Sequence, residues 1–306
     1  MTQYTVSEVK DDSIEALCDL FTEVFAQPMR PEHWRWKYLD PALSDHINIV
    51  FTSEAQIRGH AGAIILPGRY QGHAVPIAQI CDVMLAADSR GNAGVGGAYA
   101  AIMTQLIAVL QQRIPQGLHY GFPGERPFRL GERLGFYRGT GKIIEWRMPA
   151  SRRLSRYWRL CDLDWNTSPL DALWQNYASR PECQLVRDQR YLLWRYARHP
   201  EHRYRLIGVR SGLKISGWLV LRADGDTLRC VDRLVDENHL QPILSAVAGL
   251  AYSEGFEHIA FWKYTRPAWS GVSAHATGMI GVVMPSSAPL FADCQPFWQP
   301  GDADVY

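Results

Sequence analysis

The feature that most limits how this chain can fold is that its two halves carry the same succession of segments. The first half reads "HWRWKYLDP", then "INIVFTSEAQIRGHAGAII", then "QICDVML". The second reads "LLWRYARHP", then "YRLIGVRSGLKISGWLVL", then "RCVDRLV". Trp36 answers to Trp194, Tyr38 to Tyr196, Pro41 to Pro200, Gly59 to Gly217 and Asp82 to Asp232. Helical stretches follow at Ala98–Gln112 and Leu240–Glu254, each leading through Gly117 or Gly255 into a short aromatic strand, "LHYGF" or "HIAFW". The same elements recur roughly 140–160 residues apart, which points to two copies of one unit.

Within a unit the periods are readable. "NIVFT" and "AGAIIL" are strand-length apolar runs around "SEAQIRG", a hairpin pattern, and "IAQICDVML" begins just after Pro76, as a strand start does. Ile102, Met103, Leu106, Ile107 and Leu110 fall at helical spacing. Antiparallel strands, a central strand, a glycine turn, a helix and a further strand make an α+β unit. The join is placed near "MPASRRLSRYWRL", after "GKIIEWRM" as last strand of the first unit, which gives domains 1–150 and 151–306. The arginines at 152–159 read as a solvated helix face.

Charge and cysteines exclude several classes. Lys+Arg number 32 and Asp+Glu 31, so nothing attracts nucleic acid or an anionic membrane in general. No apolar run reaches the ~20 residues of a membrane span, and "MTQYTVSEVKDD" lacks a signal-peptide pattern. The six cysteines are scattered, with no metal-ligand spacing, and read as reduced thiols. No metal is expected, and a soluble cytoplasmic protein is.

"DSRGNAGVGG", Asp88–Gly97, places four glycines between the apolar strand and the helix. It fails as a phosphate loop of the Walker type, because Gly97-Ala98-Tyr99 stands where Gly-Lys-Ser/Thr is needed. It fails as a dinucleotide fingerprint because position 99 is Tyr and no parallel βαβ pattern surrounds it. What remains is a strand-to-helix loop whose bare backbone, beside the free N–H groups of a helix start, faces a pyrophosphate. Arg90 would add a charge-assisted contact. The second half has "VDRLVDENHLQPIL" there, without glycine and with Asp236 and Glu237 to repel an anion. The second unit is therefore expected to bind no such ligand, and to complete the acceptor side or buttress the first.

With "GERLGF", Gly131–Phe136, some forty residues on, the segment from Phe21 to Arg147 resembles the GNAT acyltransferase superfamily. The whole chain resembles a tandem arrangement with a degenerate C-terminal copy, each unit a mixed, mostly antiparallel sheet flanked by helices. The resemblance implies an N-acyltransferase that takes acetyl-CoA or another acyl-CoA as co-substrate. The loop Arg90, Gly91, Asn92, Ala93, Gly94, Val95, Gly96 and Gly97 would wrap the pyrophosphate, and a backbone N–H among Val83, Met84 and Leu85 would meet the acyl carbonyl. The motif's register is offset: counted from Arg90 its glycines would fall on Ala93 and Val95, and counted from Gly91 they fall on Gly94 and Gly96. One inserted residue reconciles the two.

Transfer to an amine needs proton removal, a donor for the oxyanion and a path for the thiolate. Asp82 is the first candidate base, because burial would raise its pKa; structural pairing, which its counterpart Asp232 suggests, is the alternative. Glu125, His119 and Glu145 are further candidates. The tyrosine that many family members place five residues before the Phe of "LGF", as acid for the thiolate, is here Gly131, with Tyr137 as substitute. Trp34, Trp36 and Tyr38 read as core. The acceptor would be a small-molecule or glycan amine, such as an amino sugar in surface-polysaccharide synthesis. An aminoacyl- or acyl-carrier-dependent transferase, or a non-catalytic coenzyme A-binding protein, are the alternatives.

Overall fold

The structure, a computed structural model, describes residues 4–9, 13–40, 42, 44–90, 94, 96–152, 157–166, 169–178, 180–263, 265–291, 296 and 298–303. The first half runs β1 (Tyr4–Glu8), α1 (Ile14–Phe25), α2 (Pro31–Leu39), β2 (Asp45–Ser53), β3 (Gln56–Tyr70), β4 (His73–Leu85), α3 (Ala98–Arg113), β5 (Leu118–Gly121), α4 (Glu125–Arg133) and β6 (Arg138–Pro149). The second runs β7 (Trp158–Asp162), α5 (Leu170–Gln175), β8 (Gln184–Leu185), α6 (Gln189–Leu192), a π-helical turn Leu193–Ala197, β9 (Arg205–Ser211), β10 (Lys214–Asp224), β11 (Thr227–Leu234), α7 (Leu240–Ser253), β12 (His258–Trp262) and β13 (Ser273–Val283).

Two compact units result, one of Met1–Gly141 with Met279–Gln295, the other of Lys142–Gly278 with Pro296–Tyr306. They do not part at a single join near residue 150. In the first unit β1 to β4 form an antiparallel meander, β4 pairs with β5 in parallel, and β13 closes antiparallel on β5, with Val282 opposite Gly121. In the second, β7, β9, β10 and β11 form the meander, β11 pairs with β12 in parallel, and β6 closes on β12, with Trp262 opposite Glu145. The stretch "GKIIEWRM" is thus mainly the closing strand of the second unit rather than the last strand of the first. Its alternation of Trp146 into one apolar cluster with Glu145 and Arg147 outside it suits either sheet, so pattern alone could not assign it.

The elements form for local reasons. Both hairpin turns of the first meander are two-residue loops with positive φ, Glu54-Ala55 and Gln71-Gly72, the twist that right-handed strands require. Strand β3 therefore starts at Gln56, and the loop is shorter than "SEAQIRG". Pro76 lies inside β4, opposite Pro67 of β3, instead of starting the strand. The core of the first unit packs Ile102, Met103, Leu106 and Leu110 of α3 on Ile47, Ile49, Ala61, Ala63, Ile65, Ala78 and Ile80. The second unit repeats this with Ile243, Leu244, Val247 and Ala251 of α7 on Ile207, Leu219, Leu221, Leu228 and Ile259. Fully burying each such aliphatic side chain contributes about 1.5–3 kcal/mol. No helix among the described residues is long and apolar enough to cross a membrane.

Candidate functional site

Strand β4 carries an irregularity where the glycine loop approaches. His60 faces Met84 and Gly62 faces Cys81, so Asp82 and Val83 together oppose Ala61. This is a β-bulge. Asp82 takes φ +49 in it, the left-handed region, which costs a non-glycine residue about 1–3 kcal/mol and persists only where its surroundings over-determine it.

The surroundings do. Lys37 Nζ lies 2.8 Å from both Asp82 carboxylate oxygens, and the Tyr38 hydroxyl donates to Oδ2 at 2.6 Å. His60 Nδ1 donates to the Asp82 carbonyl at 2.8 Å, and its Nε2 sits 3.0 Å from Asn48 Oδ1. Trp34 stacks on Tyr38 at 4.7 Å, and Gly62 leaves the room that the Tyr38 hydroxyl occupies; a Cβ there would meet it. All these side chains are buried. Burial alone would push the Asp82 carboxyl up, but the Lys37 charge, its hydrogen bond and that of Tyr38 hold it below the ordinary carboxylate range. Burial lowers His60 to about 4, so the ring is neutral. Its single N–H goes to the Asp82 carbonyl, so Nε2 can only accept, and the Asn48 amide is flipped, with Nδ2 in the place of Oδ1, to donate to it.

Asp82 is therefore an ionised, fully engaged anion, which corrects the expectation of a base with a raised pKa. The sequence could not show Lys37 beneath it, because a lysine on an aromatic helix face reads as snorkelling to solvent.

The strands part just before the bulge. Pairing of β4 with β5 runs only from Ile77 to Ile80, against Leu118 to Gly121. Ala86 N–H donates to the Arg58 carbonyl across β3, so antiparallel alternation turns Met84 toward β3 too, and Val83 and Leu85 away from it. The Val83 and Leu85 N–H groups consequently face the opening, while Met84 is buried. The opening ends at the start of α3. Gly97 is the N-cap residue, contributes no side-chain cap, and no acidic residue stands in the first turn. Its early N–H groups and the positive end of the helix dipole are thus available to an anion.

Of the loop, Gly94 and Gly96 are exposed and Gly97 is buried, with Gly97 N–H donating to the Gly94 carbonyl at 3.0 Å. Gly91, Asn92, Ala93 and Val95 lie outside the described residues. Arg90 is exposed and its Nε donates to the Leu85 carbonyl at 2.8 Å, which ties the loop to the end of β4.

The other candidates are scattered. Glu125 is exposed at the start of α4 and pairs with Arg129. His119 is buried, lowered by that burial to about 4, with Nδ1 3.0 Å from Ser286 Oγ. Glu145 belongs to the second unit, where Arg147 and Arg229 bind it. Tyr137 is buried among the side chains packed on α3, on the opposite sheet face from the Asp82 carboxylate. Asp82, Glu125 and Tyr137 are not brought together. Tyr137 does answer one question: its ring lies where a side chain at 131 would go, 2.2 Å from an ideal Cβ on Gly131. Burial raises its pKa, so the phenol is protonated at neutral pH.

The second unit holds the counterpart bond, Tyr196 hydroxyl to Asp232 Oδ2 at 2.7 Å, beside Arg187 Nε to Oδ1 at 2.8 Å. No described residue of β11 has positive φ, however. Pairing of β11 with β12 ends at Arg229 and Ala260. Past it, Arg233 is buried, donating to the Trp262 carbonyl at 3.0 Å and to Glu237 at 2.9 Å. Phe261, which follows in the register where the first unit has Gly121, is buried and stacks with Trp269.

Comparison with known proteins bears on the fold. Residues 5–139 match the family model of the acetyltransferase (GNAT) domain. A conserved Enterococcus faecalis V583 protein titled "Probable N-Acyltransferase" is similar at 18% identity and TM-score 0.69, covering 92% of this chain and 72% of its own. A GCN5-related N-acetyltransferase from Anabaena variabilis gives 18%, 0.68, 92% and 72% on the same measures. One from Kribbella flavida gives 12%, 0.68, 92% and 71%. No curated protein matches by sequence. The likenesses show a GNAT-like fold, mixed and mostly antiparallel with flanking helices.

Proposed function

We propose that the first unit transfers an acyl group, acetyl by default, from acyl-CoA to a primary amine. The observation that carries this is the parting of β4 from β5 after Ile80, with the Val83 and Leu85 N–H groups turned into the opening. The acyl carbonyl would lie against those donors, which are fixed before the oxyanion forms and need no reorganisation. The pyrophosphate would rest on Gly94, Gly96, Gly97 and the first turn of α3, with Arg90 beside it. The amine attacks the thioester carbonyl, the C–S bond breaks, and the thiolate takes a proton. Tyr137 is assigned as the donor of that proton, regaining one from solvent after each turnover, because its ring fills the space left by Gly131. None of the four candidate bases is free of structural partners at the opening, so the amine's proton is assigned to solvent.

The second unit is read as a degenerate copy that takes no coenzyme A, with Arg233 and Phe261 in the place of the ligand. The acceptor is read as a small-molecule or glycan amine, with glucosamine as first probe. The test is a thermal melt with acetyl-CoA, followed by thiol release on adding glucosamine. A ligand at 100 times its dissociation constant adds about 2.7 kcal/mol and raises Tm. An unchanged melt at ~1 mM acetyl-CoA removes coenzyme A from the reading and favours a carrier-borne donor. The glycine at 131 supports one second reading, a non-catalytic coenzyme A-binding protein, for which the melt would shift while no amine released thiol.

A further inference from the structure

The Lys37–Asp82–Tyr38–His60 cluster is buried and carries a full charge pair, and no step of the proposed reaction uses it. Its carboxylate lies on the sheet face away from α3, held by α2, so it does not face the acyl group. It does hold both ends of one residue: the Asp82 side chain is bound by Lys37 and Tyr38, and the Asp82 carbonyl by His60. That residue is the one with left-handed backbone, one position before the first donor into the opening. The second unit supplies the contrast. There the Tyr196–Asp232 bond persists without a positive φ in β11, and the space beyond is filled by Arg233 and Phe261. A tyrosine–aspartate bond by itself thus serves the fold. β11 carries its own bulge at Val231, beside Asp232, so among the described residues of β4 and β11 the left-handed residue occurs only in the first unit.

Resting on the acyltransfer reading, we infer that Lys37, Tyr38 and His60 are positioning residues, clamping Asp82 in its left-handed bulge so that the Val83 and Leu85 N–H groups meet the acyl carbonyl. A released Asp82 would relax toward negative φ, rotate the next peptide and take the Val83 N–H off the carbonyl. Coenzyme A itself would still bind, because its pyrophosphate site lies on the loop and on α3.

The readout is the infrared carbonyl stretch of bound [1-13C]acetyl-CoA, which moves to lower frequency as donors polarise the bond, beside the dissociation constant of free coenzyme A. Removing the buried charge pair together, as Lys37→Met/Asp82→Leu, avoids an unpaired charge and gives position 82 a side chain that resists the left-handed region. Lys37→Met/Asp82→Gly also removes the pair but permits that region. Tyr38→Phe loosens the clamp by one hydrogen bond. The Leu variant is expected to lose about half or more of the wild-type shift, with coenzyme A affinity within about twofold of wild type. The Gly variant should recover most of the shift and Tyr38→Phe should fall between. Full wild-type shift in the folded Leu variant overturns the positioning role while leaving acyltransfer standing. So does a Gly variant no better than Leu. If wild type itself binds no acetyl-CoA, the coenzyme A-dependent reading falls and the inference with it.

Discussion

The two units place a tyrosine hydroxyl on a strand aspartate in the same way, and they differ in what lies beyond it. In the first, Asp82 turns left-handed, the next strand residue is Val83, the partner strand ends on Gly121, and a glycine loop leads to an uncapped helix. In the second, Asp232 is followed by Arg233, the partner strand offers Phe261, and Asp236 and Glu237 occupy the approach to α7. Burial would push the Glu237 carboxyl up, but Arg233 holds it down, so an internal anion already satisfies the cation there. One fold thus tolerates both an open and a filled seam between its parallel strands. The seam's contents, rather than the sheet, distinguish the first unit from the second.

The sharpest way to break this comparison is to disturb the two aspartates in parallel. Lys37→Met strands a buried carboxylate, and removing one partner of such a pair costs about 3–5 kcal/mol. Arg187→Met should cost a similar amount, since Arg187 bridges Asp232 and Asp302 in equal burial. Urea melts would measure both. Roughly equal losses, with the carbonyl shift of bound acetyl-CoA altered only by the first, are expected; a negligible loss for either would mean that its aspartate is not held by charge.

Acid should separate the units next. His60 is lowered to about 4 by burial, so below its unfolded value of 6.5 the unfolded chain binds the proton the folded one refuses. Stability from this group is complete above pH 6.5 and falls by about 3 kcal/mol as pH drops to 4. His119 adds in the same sense. In the second unit Asp302 is raised to about 6 by burial, against the pull of Arg187. Between its unfolded value and pH 6 the folded form holds more protons, so acidification stabilises it. Hydrogen exchange at pH 5 should therefore show β3 and β4 loosening before β10 and β11; the reverse order would refute the assignment.

How much of this could be read beforehand follows the same division. Matching Tyr38 with Tyr196 and Asp82 with Asp232 identified two residues whose bond the structure repeats at 2.6 and 2.7 Å. The strand–loop–helix order around the glycines was readable because period and turn chemistry are local. The role of Asp82 was not, since its pKa is decided by Lys37, 45 positions away. Nor was the destination of β6, because a strand's own pattern does not say which sheet it closes. Tyr137 could be named, but only packing shows its ring in the space above Gly131.

Filling the first seam as the second is filled should abolish binding. Gly121→Phe imports the residue of the other unit, and isothermal titration is expected to show acetyl-CoA affinity reduced at least about 100-fold, or 2.7 kcal/mol. Undiminished affinity would place the ligand elsewhere. Tyr137→Phe should act later and less, lowering turnover by about 10-fold or more with affinity unchanged, as loss of a proton donor does. A raised dissociation constant at constant turnover would make the phenol a binding contact instead.

The smallest effect concerns the loop's charge. Arg90 is exposed and already spends its Nε on the Leu85 carbonyl, so its contact with a pyrophosphate is made in water and screened by salt. Arg90→Ala should weaken acetyl-CoA binding only about threefold at physiological ionic strength, less than 1 kcal/mol, and the difference should shrink as salt rises. Arg90→Lys keeps the charge but not the planar fork that can hold the strand carbonyl and reach a phosphate together. If the lysine variant binds like wild type, charge alone is what the loop supplies. Matching the alanine variant instead would mean that Arg90 acts by tying the loop to β4, and that the glycines and the α3 terminus carry the anion without help.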